Sequence, residues 1–383
     1  MTSLTPDILR ETNAKLNICD DLSVEKNKNL IFVYCPPKVG STTIVSSVRM
    51  SAFNKFTVLH IHDELMLKVL CGIENIKVID IIKYNSSIGK NVYVIDIYRS
   101  PIEQKISQYF EKLAVFHFNN SPLLINNYNI NKITNRFNNL FPYLSNEDHY
   151  QNAYEIPLPD VFDYNNKYMN QTINGVIYIK LRLKDAEQWN TILTNILGTQ
   201  ILIIKDYETD DKPIGDMYRK FKNEYKIPVN LLKKIEECPR LQYYYSSEER
   251  EEYLNLWRSK QCDEIIPFSE EEYILYEKIS YENKYMNDIQ RTHYLDEGCT
   301  CKACQIKRNN ILYRIQRGEK VSEKIVHNNA KMEYVNKKAR EMRVITVRRG
   351  PQRSVTQQKM RSTFGGSIQR PGASGMNINL LNK

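Results

Sequence analysis

The chain has 383 residues, 54 Lys/Arg, 45 Asp/Glu and 42% hydrophobic residues, enough for one large domain or two modest ones around a proper core. No apolar run approaches the ~20 residues of a membrane span, the opening "MTSLTPDILRETNAK" is too polar for a secretory signal, and eight scattered cysteines without such a signal read as reduced thiols rather than a disulfide framework. The net charge of +9 is uneven: from Cys299 onward 19 Lys/Arg face 4 Glu, a surplus of +15 that leaves −6 on the preceding 298 residues.

Residues 1–28 form a polar N-terminal segment. "NLIFVY" (29–34) is a continuous apolar run of strand length. The following "STTIVSSVRMSAF" places Ile44, Val45, Val48 and Ala52 on one helical face. "KFTVLHI" (55–61) reads as a second strand and "NVYVIDIY" (91–98) as a third. In "RSPIEQKISQYFEKLAV" a helix opens with Ser100 as N-cap and Pro101 at its first position. Residues 117–172, rich in Asn, Pro and Tyr and poorly patterned, read as an irregular insertion lying over the active site. "NGVIYIKLR" (174–182) and "TQILIIKDY" (199–207) read as two further strands, flanking the helix of "LKDAEQWNTILTNIL" (183–197). Farther on, Ser246 or Ser247 caps an amphipathic helix in "YYYSSEEREEYLNLWRSK". Strands apolar on both faces and separated by helices predict an α/β domain over 29–290, with a mainly parallel, P-loop-like or Rossmann-like sheet flanked by helices.

Residues 291–343 read as a Cys-rich, basic helical extension. Cys299, Cys301 and Cys304 are close enough in sequence to share a structural zinc ion, with His293 or Cys262 as fourth ligand; three reduced cysteines in a turn are the alternative. Residues 344–383, rich in Gly, Pro, Ser, Gln and Arg without apolar periodicity, read as a disordered basic tail. Such a tail either attracts a polyanion or aids solubility. The expected location is the cytoplasm. The heavy use of Asn, Ile, Lys and Tyr fits an AT-rich microbial or viral genome, and for a virus the location would be host cytoplasm or virion.

Two stretches carry chemistry. In "YCPPKVGSTTIVSS" (34–47) a strand turns directly into a helix, but Lys38 stands two residues before Gly40, unlike the nucleotide loop G-x-x-x-x-G-K-[ST]. The first N–H groups of a helix are unpaired and carry the positive end of its dipole. Gly40 would let the backbone approach an oxygen, Ser41, Thr42 and Thr43 add hydroxyls, and Lys38 adds a mobile cation, a set able to hold one phosphate. The same pattern also serves as a tight strand-to-helix connection. In "IYRSPIEQKISQYFE", Arg99 ends the third strand and Ser107 follows eight residues later, two turns into a helix. A guanidinium and a hydroxyl there can grip a second phosphate over the carboxyl edge of the sheet.

Together these stretches resemble the sulfotransferases that use 3′-phosphoadenosine 5′-phosphosulfate (PAPS). "PKVGSTT" is similar to that family's 5′-phosphosulfate loop P-K-x-G-[ST]-T, and "RSPIEQKISQY" to its 3′-phosphate motif. The resemblance implies a sulfotransferase moving a sulfuryl group from PAPS to an acceptor hydroxyl, without a metal. Lys38 would contact the bridging oxygen, the backbone from Val39 and Gly40 to Thr43 with the Ser41 and Thr42 hydroxyls would cradle the 5′-phosphate, and Arg99 with Ser107 would select the 3′-phosphate. Thr43 stands where many cytosolic members carry tryptophan, and the R-K-G motif of the small-molecule enzymes has no convincing copy. The resemblance therefore points to a carbohydrate-type or outlying branch, with a glycan as acceptor.

An acceptor hydroxyl profits from a general base. "VLHIHDELML" places His60 and His62 at the end of the second strand with Asp63 and Glu64 beside them, similar to the segment that carries the base in uronic-acid 2-O-sulfotransferases. His62 is preferred and His60 second; Asp63 or Glu64 could serve instead, or the group could simply form a helix N-terminus. Two other classes stay open: a P-loop NTP-dependent kinase with "VIDIY" as its Walker B strand, and a non-catalytic sulfotransferase-like binding or virion protein acting through its basic tail.

Overall fold

The computed structural model describes residues 4–269 and 271, apart from 119, 141–147 and 206–207, with the backbone alone at 115, 116 and 140. The expected Cys-rich extension, its His293/Cys299/Cys301/Cys304 cluster and the basic tail lie outside the described residues.

Along the chain, α1 (Pro6–Lys15) and α2 (Glu25–Lys28) precede β1 (Asn29–Tyr34), and α3 (Ser41–Ser51) leads to β2 (Thr57–Ile61). After α4 (Glu64–Cys71) and α5 (Val78–Ser87) comes β3 (Asn91–Tyr98), then α6 (Pro101–Lys112), which runs on as a π-helical turn over Leu113–His117. Next are α7 (Pro122–Ile125), α8 (Ile130–Leu140), α9 (His149–Asn152) and the pair β4 (Tyr168–Ile173) and β5 (Val176–Arg182). A 3₁₀ segment, Leu183–Gln188, continues into α10 (Trp189–Leu197). The chain then forms α11 (Gly215–Glu224), α12 (Val229–Glu236), α13 (Pro239–Tyr244) and α14 (Ser247–Arg258).

The sheet has the order β2-β1-β3-β5-β4. Pairs β1–β2, β1–β3 and β3–β5 are parallel, and only the edge pair β4–β5 is antiparallel. The fold is therefore α/β with a mostly parallel central sheet flanked by helices. The continuous apolar run of β1 follows from burial on both faces. Leu30, Phe32 and Tyr34 join the core beneath α4, α5, α6 and the later helices, while Ile31 and Val33 join a second core with Ile44, Val45 and Val48 of α3 and Trp189 and Leu193 of α10.

Three expectations need correction. The segment 199–207 is not a strand over its described residues: Gly198, at φ 62°, ends α10, and the chain then runs along α3. Its N–H groups are satisfied by hydroxyls instead of a neighbouring strand, Ile201 by Thr194 (3.0 Å), Leu202 by Ser51 (2.8 Å) and Ile204 by Ser47 (2.8 Å). Its apolar residues are spent on packing, with Ile201 and Ile204 buried. Residues 117–172, read as irregular, contain α7, α8, α9 and the edge strand β4. Asn174 and Gly175 do not begin a strand; at φ 51° and 78° they form the two-residue turn of the β4–β5 hairpin, the geometry for which Asn-Gly is favoured.

Candidate active site

Connections from β1 run to β2 on one side, while β3 lies on the other, so the sheet's order reverses between β1 and β3. In open α/β sheets the carboxyl ends of the strands at such a reversal form a crevice where ligands bind. The two motif-bearing loops leave the sheet at this point: Cys35–Gly40 from β1 and Arg99–Ser100 from β3.

The β1 turn is held by three side chains from the β3 unit. Arg99 Nη1 donates to the Lys38 carbonyl (2.8 Å), Gln104 Nε2 donates to the Pro37 carbonyl (3.1 Å), and Lys38 Nζ pairs with Glu111 Oε1 at 3.1 Å. Gln104, Ser107 and Glu111 are spaced three and four residues apart and so share one face of α6. Ser107 is buried on that face, between the two residues that reach the turn. The structure thus brings Lys38 and Arg99 into contact, with Ser107 on the helix face whose Gln104 and Glu111 reach the same turn.

Two left-handed residues shape the turn, Lys38 at φ 66° and Gly40 at φ 98°. A Cβ on Gly40 would lie 2.9 Å from Leu183 Cδ1 and 3.2 Å from the Trp189 ring. The side-chain direction at this glycine is filled by Leu183 and Trp189, so Gly40 serves both conformation and packing. It is the N-cap of the eleven-residue α3 and supplies no side-chain cap. The first-turn N–H groups of α3 therefore face the crevice end without a capping side chain from Gly40. Thr42 and Thr43 are half-buried. Ser41 is buried, with Oγ 2.9 Å from His60 Nε2.

The histidines divide sharply. His60 is on β2, buried and bonded to Ser41. His62 is half-buried just past the strand, its ring 4.5 Å from that of His60. Its Nδ1 lies 2.8 Å from the Cys35 carbonyl. A carbonyl only accepts, so Nδ1 carries the proton and Nε2 is the basic nitrogen. Burial pushes His62 below the usual histidine range and His149 adds to this, while the Cys35 hydrogen bond and the charges of Asp63 and Glu111 oppose it. Its two acidic neighbours in sequence serve structure: Asp63 is the N-cap of α4, accepting from Met66 N at 2.7 Å, and Glu64 accepts from Tyr34 (3.0 Å) and from Val78 N (2.9 Å).

Three residues of the site were not found by sequence reasoning. His149 donates from Nε2 to the His62 carbonyl (2.6 Å) and packs on Tyr34 at 4.5 Å between ring centroids. Glu111 lies between Lys38 and Lys212 Nζ, 3.7 Å away. Burial would raise the Glu111 carboxyl, but Lys38 and Lys212 outweigh it and hold it below the usual carboxylate range. His149 and Lys212 sit in stretches without a motif, Glu111 closes the stretch that carries Arg99 and Ser107 without being a motif position, and only the fold brings the three to the site. Beneath them Lys180 of β5 bridges Asp96 of β3 (2.6 Å) and Asp148 (2.9 Å), all three buried. Asp96 also accepts from Tyr150 N (2.9 Å), so this triad fixes the segment that carries His149.

No family model matches the chain, and no curated protein or solved structure matches it at a significant level. Among the described residues no helix is long and apolar enough to cross a membrane.

Proposed function

We propose that this chain is a PAPS-dependent sulfotransferase acting on a hydroxyl acceptor, a carbohydrate by preference, with a P-loop-like arrangement at the β1–α3 turn. The observation that carries the reading is the direct contact of Arg99 with the Lys38 carbonyl at the β1–β3 reversal point. A loop suited to one phosphate and an arginine suited to another thus meet where a doubly phosphorylated adenosine would lie across the crevice.

In the proposed reaction the acceptor oxygen attacks sulfur in line as His62 Nε2 takes its proton. The bond from sulfur to the bridging oxygen breaks, and Lys38 offsets the charge left on that oxygen. The products are a sulfate ester, adenosine 3′,5′-bisphosphate and a protonated His62. Positioning and charge stabilisation supply most of the acceleration. Arg99 and Ser107 select the 3′-phosphate, and the α3 N-terminus with Thr42 and Thr43 receives the 5′-phosphate. His60, committed to Ser41, supports the turn from below rather than accepting the proton.

Transfer of labelled sulfate from PAPS to a panel of glycans tests this reading. Lys38→Ala is expected to lower turnover by about 10²–10³-fold, and Arg99→Ala to weaken PAPS binding by about tenfold or more, with circular dichroism unchanged. Sulfate transfer that survives both substitutions, or none by the wild-type chain on any hydroxyl acceptor, would overturn it.

A further inference from the structure

The proposed transfer leaves Glu111 without a task, yet Glu111 is the group on which the cations of the turn converge. Lys38 reaches it from the β1 turn at 3.1 Å and Lys212 from the segment before α11 at 3.7 Å. The side chains of these lysines are only 11% and 13% exposed, and that of Glu111 is 32% exposed. Lys38 belongs to the anion-binding loop, and α6 turns Gln104, Ser107 and Glu111 toward that loop on one face. A negatively charged side chain thus sits beside the loop, in contact with its own lysine.

We propose that Glu111 is a built-in stand-in for the ligand's anion: its carboxylate holds the place between Lys38 and Lys212 that a phosphate or sulfate oxygen of the donor takes, and Lys212 is a second cationic contact for that oxygen. The identity of the donor rests on the proposed function; the exchange of anions does not. A carboxylate and a phosphosulfate accept hydrogen bonds from the same ammonium groups and repel each other, so the two cannot share the position. Donor entry moves the Glu111 carboxylate aside. Glu111 is a positioning residue, acting through Lys38.

Isothermal titration of the full chain with inorganic pyrophosphate tests the exchange without relying on recognition of adenosine. Glu111→Gln keeps the size of the side chain and removes its charge, so it should bind pyrophosphate about tenfold more tightly than wild type. Lys212→Met should bind it about tenfold more weakly. With PAPS as donor, Glu111→Gln should lower KM, a change that simple loss of stability does not produce. Equal or weaker pyrophosphate binding by Glu111→Gln, unchanged binding by Lys212→Met, or undetectable binding by every variant would overturn the inference. If Glu111→Gln fails to fold by circular dichroism, Lys212→Met decides alone. Should pyrophosphate follow the expected order while adenosine 3′,5′-bisphosphate binds no variant, the stand-in is upheld and the sulfotransferase reading falls.

Discussion

The ring of His62 is oriented by the bond it makes on the side away from its basic nitrogen. Because Nδ1 donates its hydrogen bond to the Cys35 carbonyl, Nε2 keeps the lone pair, and burial holds the ring below the usual histidine range. A base must be unprotonated to act, so turnover should fall as pH drops through a value below the usual histidine pKa of about 6.5. His62→Asn should lose about 10²–10⁴-fold in kcat and flatten this acidic limb in a pH–rate profile. An unchanged limb in that variant would assign the base elsewhere. His60→Asn, which removes the ring nitrogen beside Ser41 Oγ, should instead lower the melting temperature and leave the limb in place.

Among the elements, the β1–α3 turn and the anchored segment before β4 set the geometry. Gly40→Ala asks an L-residue to adopt φ 98° and drives a Cβ toward Leu183 and Trp189, at a cost of about 1–3 kcal/mol. Differential scanning calorimetry should show a melting point several degrees lower, with anion binding weakened alongside. Lys180→Met would leave Asp96 and Asp148 buried together without their shared cation, a loss of about 3–5 kcal/mol. Hydrogen exchange should then rise first over 148–154, because Asp148 and the Tyr150 amide tie that segment to β3 and β5. Uniform protection in the variant would contradict this. The strands β1 and β3 could be read from sequence to the residue, since each is a mainly apolar run, interrupted in β3 by Asp96, and largely buried on both faces. The helix starts at Pro101 and Ser247 were equally legible: proline fixes the first position of α6, and Ser246 and Glu249 form a reciprocal capping box on α14. By contrast "TQILIIKDY" has the composition of a strand, yet its described residues 199–205 lie as a strap on α3, a distinction made by hydroxyls on other elements. "YMNQTI" was passed over because an edge strand with a half-exposed face carries little apolar signal, although the Asn-Gly turn beside it was available. Lys38, Arg99 and His62 stand in or beside motifs and could be picked out. His149 and Lys212 depend on tertiary contact, to which no local spacing points, and Glu111, though on the helix face of Ser107, meets Lys38 only in the fold.

For the whole molecule, charge and topology separate two roles. The sheet's reversal point gathers the turn, the arginine and the histidines at one edge. The positive charge is concentrated elsewhere in sequence, since the first 298 residues carry −6 and the remainder +15. Removing residues 299–383 should therefore abolish salt-sensitive retention on heparin while leaving nucleotide binding within about twofold of the full chain. Retention that persists would place the polyanion contact in the α/β domain. The most direct test of the central claim is calorimetric titration of the full chain with adenosine 3′,5′-bisphosphate and, in parallel, with ATP. The account predicts saturable binding of the bisphosphate that is lost in Arg99→Ala, with ATP at least about tenfold weaker. Binding of ATP in preference to the bisphosphate, or bisphosphate binding indifferent to Arg99, would contradict it.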